Sequence, residues 1–241
     1  MRISPDGTNK ITLLSNTPFW GISTCPDGRT LLASWAGREG GVNFNIWRMD
    51  EDGSNPKQLT DGTEDEGAEC SADSKWVYFW ERPTYQIKRV PHEGGKTEIV
   101  PGAVIPDLAA FQGRIGLSPD GKFLIVSEYG GTNAWSFMVN PDGTLWAGEP
   151  YIELRAPVNR PDSGGDGMTV DQEGRPFITS HVGIQMFDAT GRLGGVIAKP
   201  SDRACVSVAF AGPDRSWLYA CASDKVFRRK TLTKGVYLPG K

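Results

Sequence analysis

Four cysteines in a chain of 241 residues do not make a disulfide framework, so the fold has to rest on packed apolar side chains. No apolar run reaches membrane-spanning length, and the first ten residues have no signal-peptide core. Membrane insertion is therefore not expected, and the protein is either cytoplasmic or periplasmic with its export signal removed. A basic excess is also missing. With a net charge of −3 and a pI near 5.5, nothing resembles the basic stripe of a phosphate-binding surface, so nucleic acid is not expected as a partner. Arg228–Lys230 is the only basic cluster and reads as the solvated side of a strand. There is no glycine-rich phosphate loop, no zinc-type pairing of His and Cys, and no Ser–His–Asp order of a nucleophilic triad. Helical spacing of apolar residues is replaced by two-residue alternation.

Glycine (30) and proline (17) are plentiful, and they separate short apolar runs, the punctuation of many short strands joined by tight turns. The chain also repeats itself. Asp6 to Asp27 lies over Asp52 to Asp73 without a gap: Asp6 falls on Asp52, Gly7 on Gly53, Asn9 on Asn55, Gly21 on Gly67 and Asp27 on Asp73. A fixed offset of 46 residues predicts a repeat architecture whose units bury their apolar faces against their neighbours.

Each repeat holds four strand patterns, so the expected fold is all-β, a single β-propeller domain over 1–241. The blades fall at about 20–60, 66–100, 113–155, 166–199 and 204–230, the last completed by 1–15. Five are counted, and six is the alternative, with room only between Pro101 and Gln112. The fifth blade lacks a clear fourth strand, and Lys10–Leu14 aligns with the fourth strand of a blade, so the N-terminal strand is expected to close the ring and hide its edges. Cys25 and Cys70 sit near the ends of equivalent strands, Cys205 and Cys221 on one hairpin, and all four are expected as buried free thiols.

Two families are resembled. Asn45–Asp50 with Asp52–Thr60, and Gln86–Val90 with Glu93–Gly95, are similar to the repeats of TolB-type propellers over roughly residues 1–105. That resemblance implies a non-catalytic module with a protein or peptide partner. Leu117–Lys122, Asp166–Asp171 with Gly183–Asp188, and Ala209–Arg215 with Trp217–Tyr219 resemble the gluconolactonase, senescence-marker-protein and luciferin-regenerating-enzyme family over roughly 109–236. This second resemblance implies a metal-dependent lactonase, normally six-bladed, acting on a small sugar-acid lactone or ester. Because the halves resemble different families, a recombined or engineered scaffold without evolved activity is a further alternative.

In a propeller the residues just before each first strand converge on one face, and here those positions are Trp20, Glu66, Gly113 and Asp166. A hard cation such as Ca²⁺ takes several oxygens at about 2.3–2.6 Å. The resembling family holds its metal with a Glu, one or two Asn and an Asp. Asp166 matches that Asp, while Trp20, Gly113 and Ser207 stand at the other positions. Glu66 replaces the missing Glu by the repeat alignment alone. The expected metal ligands are therefore Asp166 and Glu66, with Ca²⁺ as the cation. Asp166 and His181 are the catalytic candidates, because His181 lies in a loop opening on the same face and titrates near neutrality. Asn133, Glu128, Tyr129 and Ser207 are expected to contact substrate, with Arg38, Glu81 and Tyr85 shaping the pocket. His92 falls in a turn on the opposite face and receives no role.

Overall fold

The structure, a computed structural model, describes residues 4, 8–10, 12–13, 18–37, 41–82, 84–103 and 113–236. Their regular elements are all strands, and no helix among them is long and apolar enough to cross a membrane. The strands form five antiparallel sheets, four of four strands and one of three. The fold class is the five-bladed β-propeller that the 46-residue repeat predicts.

Two compact units divide the chain. The first comprises Met1–Ala103 with Pro141–Thr144 and Leu238–Lys241, the second Val104–Asn140 and Leu145–Tyr237. In the first, β1 (Phe19–Thr24), β2 (Thr30–Trp35), β3 (Asn45–Asp50) and β4 (Lys57–Gln58) make one blade. The next consists of β5 (Asp65–Cys70), β6 (Trp76–Glu81), β7 (Gln86–Pro91) and β8 (Glu98–Ile99). The two share a core in which Leu32, Ile46 and Leu59 meet Val77, Phe79 and Val90. The Ser23 hydroxyl donates to the Ala68 carbonyl at 2.7 Å and ties their first strands together. Cys25 and Cys70, expected as free thiols, are joined as a disulfide inside this core. Cys205 and Cys221 are free, as expected of the other pair; Cys205 is buried, but Cys221 is only half-buried.

The second unit holds three blades. These are β9 (Ile115–Leu117), β10 (Phe123–Ser127), β11 (Asn133–Val139) and β12 (Leu145–Glu153); then β13 (Met168–Val170), β14 (Pro176–Ser180), β15 (Gly183–Phe187) and β16 (Leu193–Ile197); then β17 (Cys205–Ala211), β18 (Trp217–Ala222) and β19 (Lys225–Lys230). Ala134, Ile152 and Leu154 pack on Ile178 and Phe187 between the first two of these blades. Phe177 and Ile184 pack on Cys205, Val208 and Leu218 between the second two. No fourth strand of the β17–β19 sheet is among the described residues, and Ile11 and Leu14 of the expected closing strand lie outside them.

One turn recurs from blade to blade. An Asp carboxylate turns back to cap backbone N–H groups and so fixes the hairpin between first and second strands. Asp27 accepts from the N–H groups of Arg29 and Thr30, both at 2.9 Å, and from the Thr30 hydroxyl at 2.6 Å. Asp120 repeats the pattern with Lys122, and Asp171 with Glu173 and Arg175. Gly28 and Gly121 follow at φ +69°, a left-handed backbone that any Cβ would strain. These turns fix the register of each blade and therefore which residues precede its first strand.

Candidate functional site

Asp166 stands in the Gly164–Gly167 segment that leads into β13, and three strands strap that segment in place. Its N–H donates to Thr179 O at 3.1 Å, its carbonyl accepts from the Ser127 hydroxyl at 3.1 Å, and the Gly167 N–H donates to Val206 O at 3.1 Å. Glycine is required here by close approach: a Cβ on Gly167 would lie 2.6 Å from Val206 O and 2.7 Å from the Ser207 Cα. The Asp166 side chain is 17% exposed and accepts from Arg114 Nε at 3.3 Å. Burial raises the Asp166 carboxyl above its ordinary range, and the Arg114 guanidinium only partly offsets this.

His181, in the tight turn between β14 and β15, forms the second part of the site. Its Nε2 lies 2.7 Å from Asp162 Oδ1, and its ring meets Tyr129 edge-on at 5.7 Å. Gly164 lies against that ring so closely that a Cβ there would come within 2.5 Å of its atoms. Asp162 also accepts from Arg160 at 3.2 Å. Burial alone would raise the Asp162 carboxyl, but His181 and Arg160 outweigh it and hold it below the usual range. A cavity of about 260 Å³ opens beside this group, lined by Tyr129, Arg160, His181, Lys199 and Cys205. With Arg160 and Lys199 on its wall, it suits a ligand carrying or developing negative charge. The Cys205 thiol, pushed up to about 11 first by burial and then by Cys221, is no nucleophile at neutral pH. A larger cleft of about 710 Å³ in the first unit, between Lys57–Asp61 and Glu93–Thr97, is lined by none of the candidate residues.

The other expected residues are placed as follows. Glu128 is 3% exposed, and its two oxygens accept from the Asn133 N–H at 3.0 Å, Asn133 Nδ2 at 3.3 Å and Trp135 Nε1 at 2.6 Å. Glu128 and Asn133 thus lock the loop that presents Tyr129. Ser207 lies exposed on β17 beside the Gly167 backbone. Glu66 is on β5 of the first unit, where Arg82 Nε approaches Oε1 at 3.3 Å. Arg38 lies outside the described residues; Glu81 pairs with Lys88 at 2.8 Å and Tyr85 stacks on Trp80, both in the first unit.

Sequence reasoning missed Arg114, Asp162 and Arg160. Arg114 directly follows Gly113, the Asn position of the resembling family, and that adjacency was the available signal. A side chain at 113 is impossible with this backbone, since its Cβ would fall inside the Ser127 carbonyl oxygen. The donor set at Asp166 does not fit a hard divalent cation. Among the described residues no three acidic, histidine or cysteine ligands gather there, and a guanidinium already faces the carboxylate.

The model of the SMP-30/gluconolactonase/LRE-like region matches residues 103–223. No curated protein matches the chain. Among solved structures, a gluconolactonase from Xanthomonas campestris superposes with a TM-score of 0.68 at 20% identity, covering 87% of this chain and 71% of that one. A calcium-binding regucalcin from Agrobacterium tumefaciens gives 0.66 at 14% identity, covering 92% and 78%. TolB from Acinetobacter baumannii gives 0.70 at 15% identity, covering 95% of this chain and 56% of that one. These likenesses concern the fold.

Proposed function

The chain belongs to the SMP-30/gluconolactonase/LRE-like family, and from that premise we propose that it is a hydrolase opening a small sugar-acid lactone or similar ester at Asp166. The observation that carries this reading is the buried Asp166 carboxyl with the Arg114 guanidinium 3.3 Å away. A carboxylate made more basic by burial is a suitable general base, and a fixed guanidinium is a suitable partner for a developing oxyanion. The ionised Asp166 takes a proton from water as the water oxygen attacks the lactone carbonyl carbon. Charge develops on the carbonyl oxygen and is met by Arg114. The ring C–O bond then breaks, its alkoxide recovers the proton from Asp166, and a hydroxy acid leaves. Arg160 and Lys199, on the wall of the adjoining cavity, favour the anionic product side.

The finer reading adds a divalent cation, with Ca²⁺ first and Asp166 as its ligand; Glu66, the other ligand expected from the repeat alignment, faces Arg82 in the first unit. Since the donors at Asp166 do not fit such an ion, every step above uses the chain's own groups. Turnover of glucono-lactone, followed by acid release in chelator-treated buffer, tests both levels. Asp166→Asn is expected to lose about 10²–10⁴-fold and Arg114→Ala about 10²-fold. Unchanged turnover in Asp166→Asn refutes the assignment; loss under chelator with recovery on Ca²⁺ restores the cation in place of Arg114.

One observation favours a second reading. Phe19, Trp20 and Ile22 on β1 are 45%, 55% and 49% exposed, an apolar strip suited to a protein or peptide partner. Retained partner capture by Asp166→Asn, lost in Trp20→Ala, would support it over hydrolysis.

A further inference from the structure

Three ligand-type atoms meet in the first unit without belonging to the lactone site. The sulfurs of Cys25 and Cys70 and an imidazole nitrogen of His92 all lie within 4.8 Å of one another, and all three residues are buried. Cys25 follows β1, Cys70 ends β5, and His92 follows β7, so two adjacent blades supply the group. His92 is 8% exposed. Its Nδ1 lies 3.0 Å from Glu93 Oε1, and Arg48 grips Glu93 with both NH groups at 2.9 and 2.7 Å.

Nε2 is buried and has no hydrogen-bond partner. A buried polar nitrogen left in this way is destabilising and calls for a reason. The carboxylate supplies one. An imidazole that donates Nδ1–H to a carboxylate presents a lone pair at Nε2, the arrangement that orients histidine toward metals. With Nδ1 taken by Glu93, Nε2 is the ring nitrogen available to a metal held by the two sulfurs.

We propose that Cys25, Cys70 and His92 form a redox-gated site for a thiophilic divalent cation of the Zn²⁺ class. The disulfide is the closed state. A dithiol reductant opens it by passing two electrons and two protons to the sulfurs, itself becoming a cyclic disulfide. Zn²⁺ then displaces both thiol protons to solvent and binds two thiolates and neutral Nε2, leaving one position for water. The two thiolate charges cancel the cation, which suits a core of Leu32, Val77 and Phe79. Tetrahedral Zn–S bonds of about 2.3 Å put the sulfurs about 3.8 Å apart. The 5.2 Å Cα separation of the two cysteines allows that with side-chain rotation alone.

The site is tested on the full chain carrying Cys205→Ala and Cys221→Ala, so that no other thiols contribute. After phosphine reduction without oxygen, one equivalent of Co²⁺ is expected to give thiolate-to-cobalt charge-transfer absorption that Zn²⁺ abolishes. The disulfide form should give none. His92→Ala should weaken Co²⁺ binding at least tenfold, and Glu93→Gln about tenfold, with circular dichroism reporting that each variant is folded. Absence of the charge-transfer band in the reduced chain, or unaltered affinity in folded His92→Ala, overturns the proposal. If reduction unfolds the first unit, Co²⁺ must restore its circular dichroism, and failure to do so overturns it equally.

Discussion

Reducing the Cys25–Cys70 disulfide is the perturbation whose size the structure fixes most directly. The bond spans a sequence separation of 45 residues. Chain-entropy loss in the unfolded state for a loop of that length amounts to about 4 kcal/mol at 25 °C. A chain of this size shifts its melting temperature by about 2–4 °C per kcal/mol, so reduction should lower Tm by about 8–16 °C. The comparison needs no mutation: one preparation is melted with and without a phosphine reductant, in chelator-treated buffer, alongside urea titrations. Five of the eight tryptophans, Trp20, Trp35, Trp47, Trp76 and Trp80, belong to the first unit, so tryptophan fluorescence is weighted toward its unfolding. The urea slope should rise on reduction, because the uncrosslinked unfolded chain exposes more surface. Zinc offers an internal check. At about 1,000 times its dissociation constant it should return about 4 kcal/mol to the reduced protein and nothing to the oxidised one. A Tm unmoved by verified reduction would show that the two blades are not held by this bond, and the loop argument would fail.

Asp166, whose folded-state pKa is raised by burial, contributes stability that is present below its unfolded value of about 3.9 and is lost as pH rises through the folded value. Asp166→Asn should therefore melt no lower than the parent at pH 7 while losing activity, and a lower Tm there would contradict the assignment. Glu128→Ala strands three donors, each charge-assisted bond being worth about 1.5–3 kcal/mol, so a loss of at least about 3 kcal/mol is expected by urea titration. An unaffected midpoint would mean that Glu128 does not hold its loop. Asp171 is 0% exposed; burial would raise its carboxyl, but Arg175 at 2.7 Å, with Thr233 and two backbone N–H groups, holds it below the usual range. Its stabilisation is present above about pH 3.9 and is lost as pH falls through the folded value; because Arg175 stays partly in solvent, Asp171→Ala should cost about 1.5–3 kcal/mol at pH 7 and less in acid. A cost independent of pH would refute the ion pair.

What the sequence made legible is local. The turns at Asp27 and Asp120 follow from short-range spacing, as do the strand runs beside them, and with the repeat they point to five blades; the equivalent Asp171 turn reads in sequence only as the end of a strand. Pairings between blades were not legible. Cys25 and Cys70 are 45 residues apart against a repeat of 46, so the alignment makes them near-equivalents, yet bonding depends on a Cα distance that only tertiary packing sets. Glu128 is similar. In sequence it is a loop charge next to Tyr129, and nothing short-range shows that Trp135 and Asn133 turn back to bury it. β12 runs nine residues from Leu145 to Glu153, and register shifts between Ala134 and Trp135 and between Ser136 and Met138 carry it past residues with no clean alternation.

The same distinction explains the candidate site. Asp166 was readable because its neighbours Gly167, Met168 and Val170 carry the resemblance, whereas its counter-charge comes from a residue 52 positions earlier. Gly113 and Arg114 act together. Backbone approach to Ser127 strips position 113 of any side chain, and the next residue extends a guanidinium to the carboxylate that a metal-binding neighbour would otherwise share. A guanidinium brings one permanent charge and directional donors but exchanges no ligands, so it stabilises charge without activating water. In the proposed hydrolysis, removal of a proton from the attacking water then falls to Asp166 itself. Burial suits it to that role by weakening its hold on the ionised form and strengthening its grip on the proton.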